Sequence, residues 1–188
     1  MSSQINKHGW IILDVPVWAE NKAIELRKYR DTIYGNIYTE EATDERWVGD
    51  LGEFVFKSFL SDRGIPKNNY QWIIEDAAGN ADFVMMDGSK VDVKTVKRKV
   101  PVKTEYTAQI TAQHINEDIQ HYFFMSYQIK EKQMTLLGGI SKSEFIKHAK
   151  YYGEGDEVHS NYIIRKNHEI YNIDVVKLIP PVKWLAQF

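Results

Sequence analysis

Residues 81–95 of this chain have the sequence ADFVMMDGSKVDVKT, in which two apolar, strand-like runs flank an Asp-Gly turn. Apolar and polar residues alternate on both sides of the turn, as in strands that bury one face. The Asp-Gly pair favours a tight connection because glycine readily adopts the left-handed backbone conformation. The stretch therefore predicts a β-hairpin with strands at residues 81–85 and 91–96.

The length of the hairpin loop determines which side chains share a face. A two-residue loop would mix the apolar side chains with the charged ones. A three-residue loop at 86–88, with Gly88 left-handed, instead gathers the apolar side chains on one face and sets Asp82 directly across from Asp92. Because register follows the buried face, we predict the three-residue loop. Its apolar face would consist of Phe83, Met85, Val91 and Val93.

The opposite face of this hairpin would carry Asp82, Asp92 and Lys94. Carboxylates are unfavourable on half-buried strands unless they are paired or bind a metal. Directly opposed residues have Cβ atoms about 5 Å apart, which lets two carboxylates share a divalent cation. The spacing therefore predicts a metal site with an adjacent ammonium group. The alternative is that Asp92 and Lys94 form an exposed pair on an edge strand.

A helix is predicted before the hairpin. Thr43 would cap its N-terminus, with Asp44 and Glu45 in the first turn, where the helix dipole favours negative charge. Gly64 would end it. Its apolar side chains recur at helical spacing, at Trp47, Leu51, Val55 and Phe59.

Two glycines lie inside this helix, at Gly49 and Gly52. Each costs about 1 kcal/mol relative to alanine in a helix interior, so their presence requires a reason. Close approach of the helix to a strand is such a reason, and it would bring Glu53 toward the edge of the sheet. The alternative is that Glu53 is a solvated helix residue.

The rest of the chain shows short strand patterns and two more helices. Helices are predicted at 19–30 and at 141–151, where Ser141 and Glu144 match a capping box. A polar loop is predicted at 153–160. Further strands are predicted at 9–13 and 70–74, at 122–129 and 134–140 as a second hairpin, and once or twice within 161–178. Residues 104–113 alternate only weakly and are predicted to be either a strand or irregular.

Composition indicates a globular chain of one domain, spanning residues 1–188. It is 43% hydrophobic and 27% charged. Its formal net charge of -2 excludes a protein whose whole surface is basic and binds nucleic acid without specificity. It has no cysteine, which excludes disulfides, thiolate zinc sites and a cysteine nucleophile. The order of elements predicts an α/β (α+β) fold with a mixed sheet flanked by helices. Residues 10–17 are too short for a membrane span or signal peptide, so we expect a cytoplasmic protein without membrane association.

The combined motif is a Gly52-Glu53 pair on a helix, then Asp82, and then Asp92-x-Lys94 ten positions later. This arrangement resembles the PD-(D/E)xK nuclease superfamily, which includes restriction-endonuclease-like enzymes, junction resolvases and phage or repair nucleases. The resemblance covers residues 45–97. One departure is Ala81, where the family motif has proline, and that position varies in the family without touching the metal.

The resemblance implies a restriction-endonuclease-like domain with its motif core at about 45–140. It also implies a nuclease that hydrolyses DNA, in the first place as an endonuclease whose products carry 5′-phosphates. It implies Mg²⁺, with Mn²⁺ as a substitute, bound by Asp82, Asp92 and the carbonyl of Val93. Glu53 would complete the ligand shell directly or through water, and Lys94 would orient or activate the attacking water.

Residues 90–103 contain six basic residues and one acid, a local net charge of +5. Such a segment beside the acids suits a DNA backbone, although a solvated strand end is the plainer interpretation. Gln113 belongs to a polar strand face and is a further candidate contact, with an ordinary polar face as the alternative. The candidate nucleic-acid-binding residues are Lys97, Arg98, Lys99, Lys103 and Gln113.

Other types of site find little support in the sequence. The six histidines show no metal-binding spacing, so each is predicted to be a surface or core residue. No Gly-rich phosphate loop is present, so no nucleotide cofactor is expected. A homodimer would suit paired cuts on two strands. Two alternatives to a nuclease are a non-catalytic nucleic-acid-binding or assembly protein on the same fold, and an unrelated α+β domain whose charges are surface pairs.

Overall fold

A computed structural model describes residues 3–35, 45–74, 81–160 and 162–188. The helices are α1 (Val17–Tyr34), α2 (Trp47–Asp62), α3 (Lys142–His148) and α4 (Pro181–Leu185), with 3-10 helices at Lys67–Asn69, Ala112–Asn116 and Val175–Lys177. The strands are β1 (Ser3–Ile5), β2 (Ile11–Asp14), β3 (Tyr70–Trp72), β4 (Phe83–Met85), β5 (Lys90–Arg98), β6 (Thr107–Thr111), β7 (His121–Gln128), β8 (Gln133–Ser141), β9 (Lys150–Tyr152), β10 (Glu157–His159), β11 (Tyr162–Ile163) and β12 (Ile170–Asp174).

Within the described residues, seven strands form one mixed sheet in the order β1-β2-β8-β7-β5-β4-β3. The central neighbours β5 and β7 are parallel, whereas the other neighbouring pairs are antiparallel. A parallel pair requires the chain to cross from one end of the sheet to the other, and residues 99–120 make that crossing. With helices packed on the sheet, the structure confirms the predicted α/β (α+β) class and mixed sheet.

The first face of the sheet packs against α1, α2 and α4. Phe56 of α2 lies with its ring centroid 4.8 Å from the rings of both Phe83 and Phe123. Gly52 lies against Thr95 of β5 so closely that an added Cβ would collide with the threonine hydroxyl. The predicted close approach is therefore confirmed at Gly52. It is wrong for Gly49, where an added Cβ would meet nothing within 4 Å.

The second face of the sheet is covered by α3 and by a small sheet in the order β6-β12-β9. Tyr122 and Phe124 of β7 are buried there, and their rings lie 5.2 and 5.9 Å from that of Phe145 in α3. Ile173 and Val175 complete this second core from the C-terminal part of the chain. The face of β5 that carries Asp92 and Lys94 therefore lies beneath this second layer.

The structure confirms the predicted three-residue loop between β4 and β5. Phe83 pairs with Val91 and Val84 with Lys90. The backbone NH of Met85 donates to the carbonyl of Ser89 at 2.9 Å. Gly88 has a φ of 85°, the left-handed conformation expected of it. The four predicted apolar side chains, Phe83, Met85, Val91 and Val93, are buried in one cluster.

Three predicted helices have different bounds in the structure. Helix α1 spans Val17–Tyr34, whereas 19–30 was predicted. Helix α2 begins at Trp47, and Glu45 precedes it with a φ of 50°, so Glu45 is not in the first turn. The predicted cap residues Thr43 and Asp44 lie outside the described residues. Helix α3 is capped by Ser141 as predicted, but it ends at His148 because Ala149 turns extended and residues 150–152 join the small sheet.

The C-terminal third differs from the prediction in two further ways. Residues 157–159, predicted as loop, form β10, which pairs with β11. Helix α4 was not predicted, because five residues are too few for a helical period, although Pro181 stands at its start, where proline is favoured. No helix within the described ranges is both long and apolar enough to span a membrane.

Candidate metal centre

The β4–β5 hairpin brings the two predicted aspartates together. Asp82 directly precedes β4, and its backbone NH donates to the carbonyl of Val91 in β5 at 3.1 Å. The paired register of the hairpin ends at Phe83 and Val91, so the predicted direct opposition of Asp82 and Asp92 is not part of the ladder. The Oδ2 atom of Asp82 also accepts a hydrogen bond from the backbone NH of Val93 at 2.7 Å. The Asp82 carboxylate is therefore held against the strand that carries Asp92 and Lys94.

Asp92 and Lys94 lie two residues apart on the same face of β5. Asp92 is only 4% exposed, and the Nζ atom of Lys94 lies 2.8 Å from its Oδ2. The parallel strand β7 places Tyr122 beside Asp92 and Phe124 beside Lys94. The ion pair is thus enclosed by an aromatic wall on its β7 side, while the Lys94 side chain keeps 26% of its surface exposed.

The pKa values of two groups at the hairpin, Asp82 and Lys94, are raised above their usual ranges. Burial, and then the charges of Glu53 and Asp92, raise the pKa of Asp82 well above its usual range. Burial alone would lower the pKa of Lys94, but the charges of Asp92 and Asp82 outweigh it and raise the pKa. Lys94 therefore stays protonated, and a single ammonium faces two carboxylates. The raised pKa of Asp82 shows that ionisation of both carboxyl groups is disfavoured without a cation. A hard divalent cation such as Mg²⁺ or Mn²⁺, which binds oxygen donors, would relieve that repulsion.

Glu53 contributes charge to the site, and its two oxygens already accept hydrogen bonds. Arg30 of α1 donates from Nη1 to Oε1 at 2.6 Å and from Nη2 to Oε2 at 2.9 Å. Trp72 of β3 donates its Nε1 hydrogen to Oε2 at 2.9 Å. The interpretation of Glu53 as a solvated helix residue is wrong, because Glu53 is 5% exposed. Its direct or water-mediated contact with a metal stays a prediction.

Arg30 is a residue of the site that sequence reasoning missed. Its Nη1 also donates to Oδ1 of Asp50 at 2.7 Å, so one guanidinium serves two buried acids of α2. The neighbouring charges of Glu53, Asp50 and Asp82 raise the pKa of Arg30 against the lowering effect of its burial. In the sequence, Arg30 is one of several basic residues on an amphipathic helix, and nothing local distinguishes it.

A second group forms where the 3-10 helix Ala112–Asn116 meets the end of β5. One ligand atom each from Asp92, His114 and Glu117 lies within 4.8 Å of the others. The Nδ1 atom of His114 and the Oε1 atom of Glu117 are 2.7 Å apart. His114 was predicted to be an ordinary surface or core residue. The i,i+3 spacing of His114 and Glu117 was a signal, but their third neighbour is 22 positions away from His114 in the sequence.

The predicted DNA-binding residues lie on and after the C-terminal end of β5. Lys97 pairs with Glu45 at 3.1 Å. Arg98 donates to the backbone carbonyl of Thr107 at 3.1 Å, and its guanidinium lies 4.6 Å from the ring centre of Tyr106. Arg98 is thus held against β6, so it serves the fold whatever else it contacts. Lys99 and Lys103 are exposed. Gln113 is exposed too, but it lies in the 3-10 helix Ala112–Asn116, so its prediction as part of a polar strand face is wrong.

Sequence comparisons add no assignment to this geometry. No known family model matches the chain, and no curated protein sequence shows significant similarity to it. The function of the chain is therefore inferred from the residues of the site themselves.

Proposed function

We propose that this chain is a metal-dependent nuclease of the PD-(D/E)xK type that hydrolyses phosphodiester bonds in DNA as an endonuclease. One observation carries the proposal: the carboxylate of Asp82 is hydrogen-bonded to the backbone NH of Val93, between Asp92 and Lys94, and Lys94 lies 2.8 Å from Asp92. This is the arrangement of two oxygen donors and an ammonium group that the sequence motif implies for such enzymes.

In this proposal, Asp82 and Asp92 hold Mg²⁺, or Mn²⁺ in its place, together with the carbonyl of Val93. A cation bound there would make its coordinated water a better nucleophile and would neutralise charge on the phosphate. The two carboxylates fit this task because both are fixed by the hairpin, and Asp82 is further fixed by the backbone NH of Val93. Glu53 adds negative charge behind them while Arg30 holds its position.

Lys94 is assigned an electrostatic role. Its neighbours raise its pKa, so it carries a proton at neutral pH and is not poised to remove one from water. A protonated ammonium next to the scissile phosphate would stabilise the negative charge that develops in the transition state. A lysine held by an aspartate at 2.8 Å is also positioned, which lowers the entropic cost of that contact.

The DNA backbone would follow the basic segment after β5. The exposed side chain of Lys99 can neutralise a phosphate. Lys103 would exchange its exposed pairing with Glu105, 3.8 Å away, for a phosphate. Lys97 would have to exchange its pairing with Glu45 for a phosphate. A homodimer would allow each copy to cut one strand of a duplex.

The decisive experiment measures the cleavage of supercoiled plasmid and of circular single-stranded DNA in Mg²⁺, Mn²⁺ or EDTA. Wild type is compared with Lys94→Ala and with Lys166→Ala, an exposed lysine in the turn before β12 that matches the change in charge. We expect nicking or linearisation by wild type and Lys166→Ala with either metal, and none in EDTA. Removal of the ammonium should slow cleavage by about two orders of magnitude or more.

Equal cleavage by wild type and Lys94→Ala would contradict the proposal. If all three proteins bind DNA in a shift assay but none cleaves it, the chain is instead a non-catalytic nucleic-acid-binding protein. Because both substrates are circular, cleavage of either one establishes endonucleolytic entry.

A further inference from the structure

The 3-10 helix at Ala112–Asn116 lies over the polar face of β5 and places two side chains beside Asp92. His114 comes from this helix, and Glu117 follows it directly. A ligand atom from each of the three residues lies within 4.8 Å of the other two. Of these three residues, only Asp92 has a role in the proposed nuclease. The group therefore requires its own explanation.

The three side chains are close to the spacing that a bound cation demands. Ligand atoms about 2.1 Å from one cation are roughly 3 to 4 Å from each other. The 2.7 Å separation between Nδ1 of His114 and Oε1 of Glu117 would open by a few tenths of an ångström, and the contacts of Asp92 would close slightly. A cation would lie between these two ligand atoms and Asp92.

The burial of Asp92 is a second, independent observation. Asp92 is 4% exposed, and its Oδ2 accepts no hydrogen bond of normal geometry from the residues that the structure describes. Its neighbour at that oxygen is the ammonium of Lys94, 2.8 Å away. A buried carboxylate that relies on a single ion pair bears a desolvation cost that a bound cation would offset.

We propose that Asp92, His114 and Glu117 form a binding site for the transition-metal ion Mn²⁺. The inference goes beyond the nuclease proposal, because it concerns ion binding by the free protein and uses two residues with no part in cleavage. The imidazole of His114 sets the class of ion. Nitrogen ligands suit Mn²⁺ and Zn²⁺, whereas Mg²⁺ and Ca²⁺ prefer oxygen alone.

Lys94 makes room for the ion by moving toward solvent. Its side chain is 26% exposed, so the ammonium can leave Oδ2 of Asp92 without becoming buried elsewhere. The ammonium lies 2.8 Å from Oδ2 of Asp92, one of the three ligand groups. The ammonium therefore occupies the region of cation attraction that the metal ion would take over.

Helix α3 provides a matched control. His148 and Glu144 form a histidine–glutamate pair with 3.2 Å between Nε2 and Oε2, and both side chains are about half exposed, at 41% and 51%. The described residues supply no third ligand beside this pair. His148→Ala therefore removes an imidazole next to a glutamate without touching the proposed site.

The test is calorimetric titration of the metal-free protein with MnCl₂ and with MgCl₂, without DNA. Wild type is compared with His114→Ala, Glu117→Gln and His148→Ala. We expect Kd for Mn²⁺ to rise roughly tenfold or more in His114→Ala and Glu117→Gln, since each loses one of three protein ligands. His148→Ala should match wild type. In an Asp82→Asn background, which removes a ligand of the proposed catalytic cation, the His114-dependent Mn²⁺ binding should persist.

Thermal melts of each metal-free variant show whether it is folded, and Glu117→Gln keeps the size and shape of the original side chain. Equal Mn²⁺ affinity in wild type and folded His114→Ala or Glu117→Gln overturns the inference, as does the absence of Mn²⁺ binding by wild type. DNA cleavage with unchanged Mn²⁺ affinity would leave the nuclease proposal standing and remove this site. Binding that depends on His114 without any cleavage would do the reverse.

Discussion

The guanidinium of Arg30 holds the carboxylate of Glu53 through two parallel hydrogen bonds, of 2.6 and 2.9 Å. The same guanidinium reaches Asp50, which is fully buried, and Arg27 donates to the other oxygen of Asp50 at 2.7 Å. Helices α1 and α2 are thus joined by a network of buried and half-buried charges directly behind the hairpin acids. Its stability depends on every acid keeping a partner.

Replacement of Arg30 by alanine should lower the free energy of unfolding by about 3–5 kcal/mol, because it leaves Glu53 buried without its charged partner. Urea denaturation followed by tryptophan fluorescence measures the change. Arg165→Ala, at an exposed position, should shift the midpoint very little. An Arg30→Ala midpoint close to that of Arg165→Ala would show that water replaces the guanidinium at no cost.

The raised pKa of Asp82 predicts a pH-dependent gain in stability for Asp82→Asn. Ionised Asp82 is disfavoured in the folded state, so its cost is greatest above its folded pKa and disappears as the pH falls toward 3.8, its usual value. In EDTA, Asp82→Asn should therefore be more stable than wild type at pH 7–8, and the difference should shrink toward pH 4. The amide oxygen can still accept the hydrogen bond from Val93. Denaturation at several pH values tests this, and a difference that does not change with pH would contradict it.

Gly52 and Gly49 should respond oppositely to alanine. At Gly52 the new methyl group would collide with the hydroxyl of Thr95, and overpacking of this kind costs about 1–3 kcal/mol. At Gly49 there is open space, so alanine should stabilise the helix by about 1 kcal/mol. Thermal denaturation of the two variants compares them. Thr95→Ala combined with Gly52→Ala should recover part of the loss, and a stable Gly52→Ala protein would refute the close approach.

Cation binding should stabilise wild type but not Asp92→Asn. A cation present at about 100 times its Kd stabilises the folded state by about 2.7 kcal/mol, which appears as a higher Tm in Mg²⁺ or Mn²⁺ than in EDTA. Asp118→Asn is the control, since Asp118 is an exposed acid paired with Lys90 just outside the site. It should keep the full cation effect. An equal rise in Tm for Asp92→Asn would place the bound cation elsewhere.

The hairpin register was predictable because side chains alternate between the two faces of a strand, so each loop length fixes which residues share a face. Shifting Asp82 relative to Asp92 by one residue would have moved Phe83 and Met85 onto the charged face, so the apolar pattern alone selected the loop. The close approach at Gly52 followed from the cost of glycine in a helix. The hairpin register depends on one tight turn and the glycine cost on neighbours in one helix, so sequence spacing translates directly into geometry in both cases.

The partners of the site were not predictable in the same way. Arg30 meets Glu53 across 23 positions and through the packing of two helices, whose rotation about their axes the sequence does not specify. His114 reaches Asp92 only because residues 99–120 cross over the sheet. Boundaries such as the end of α3 at His148 were missed because strand β9 competes for the residues that follow.

The small sheet over the charged face has a consequence for protein synthesis. Its central strand is β12, so β6 and β9 have no partner in it until residues 170–174 arrive. The strands of the large sheet are complete by Ser141, about 30 residues earlier, and can pair first. On the ribosome, the charged face of β5 would therefore lack the part of its cover that the small sheet provides until residues 170–174 emerge. Enclosure of the site is thus coupled to the synthesis of β12.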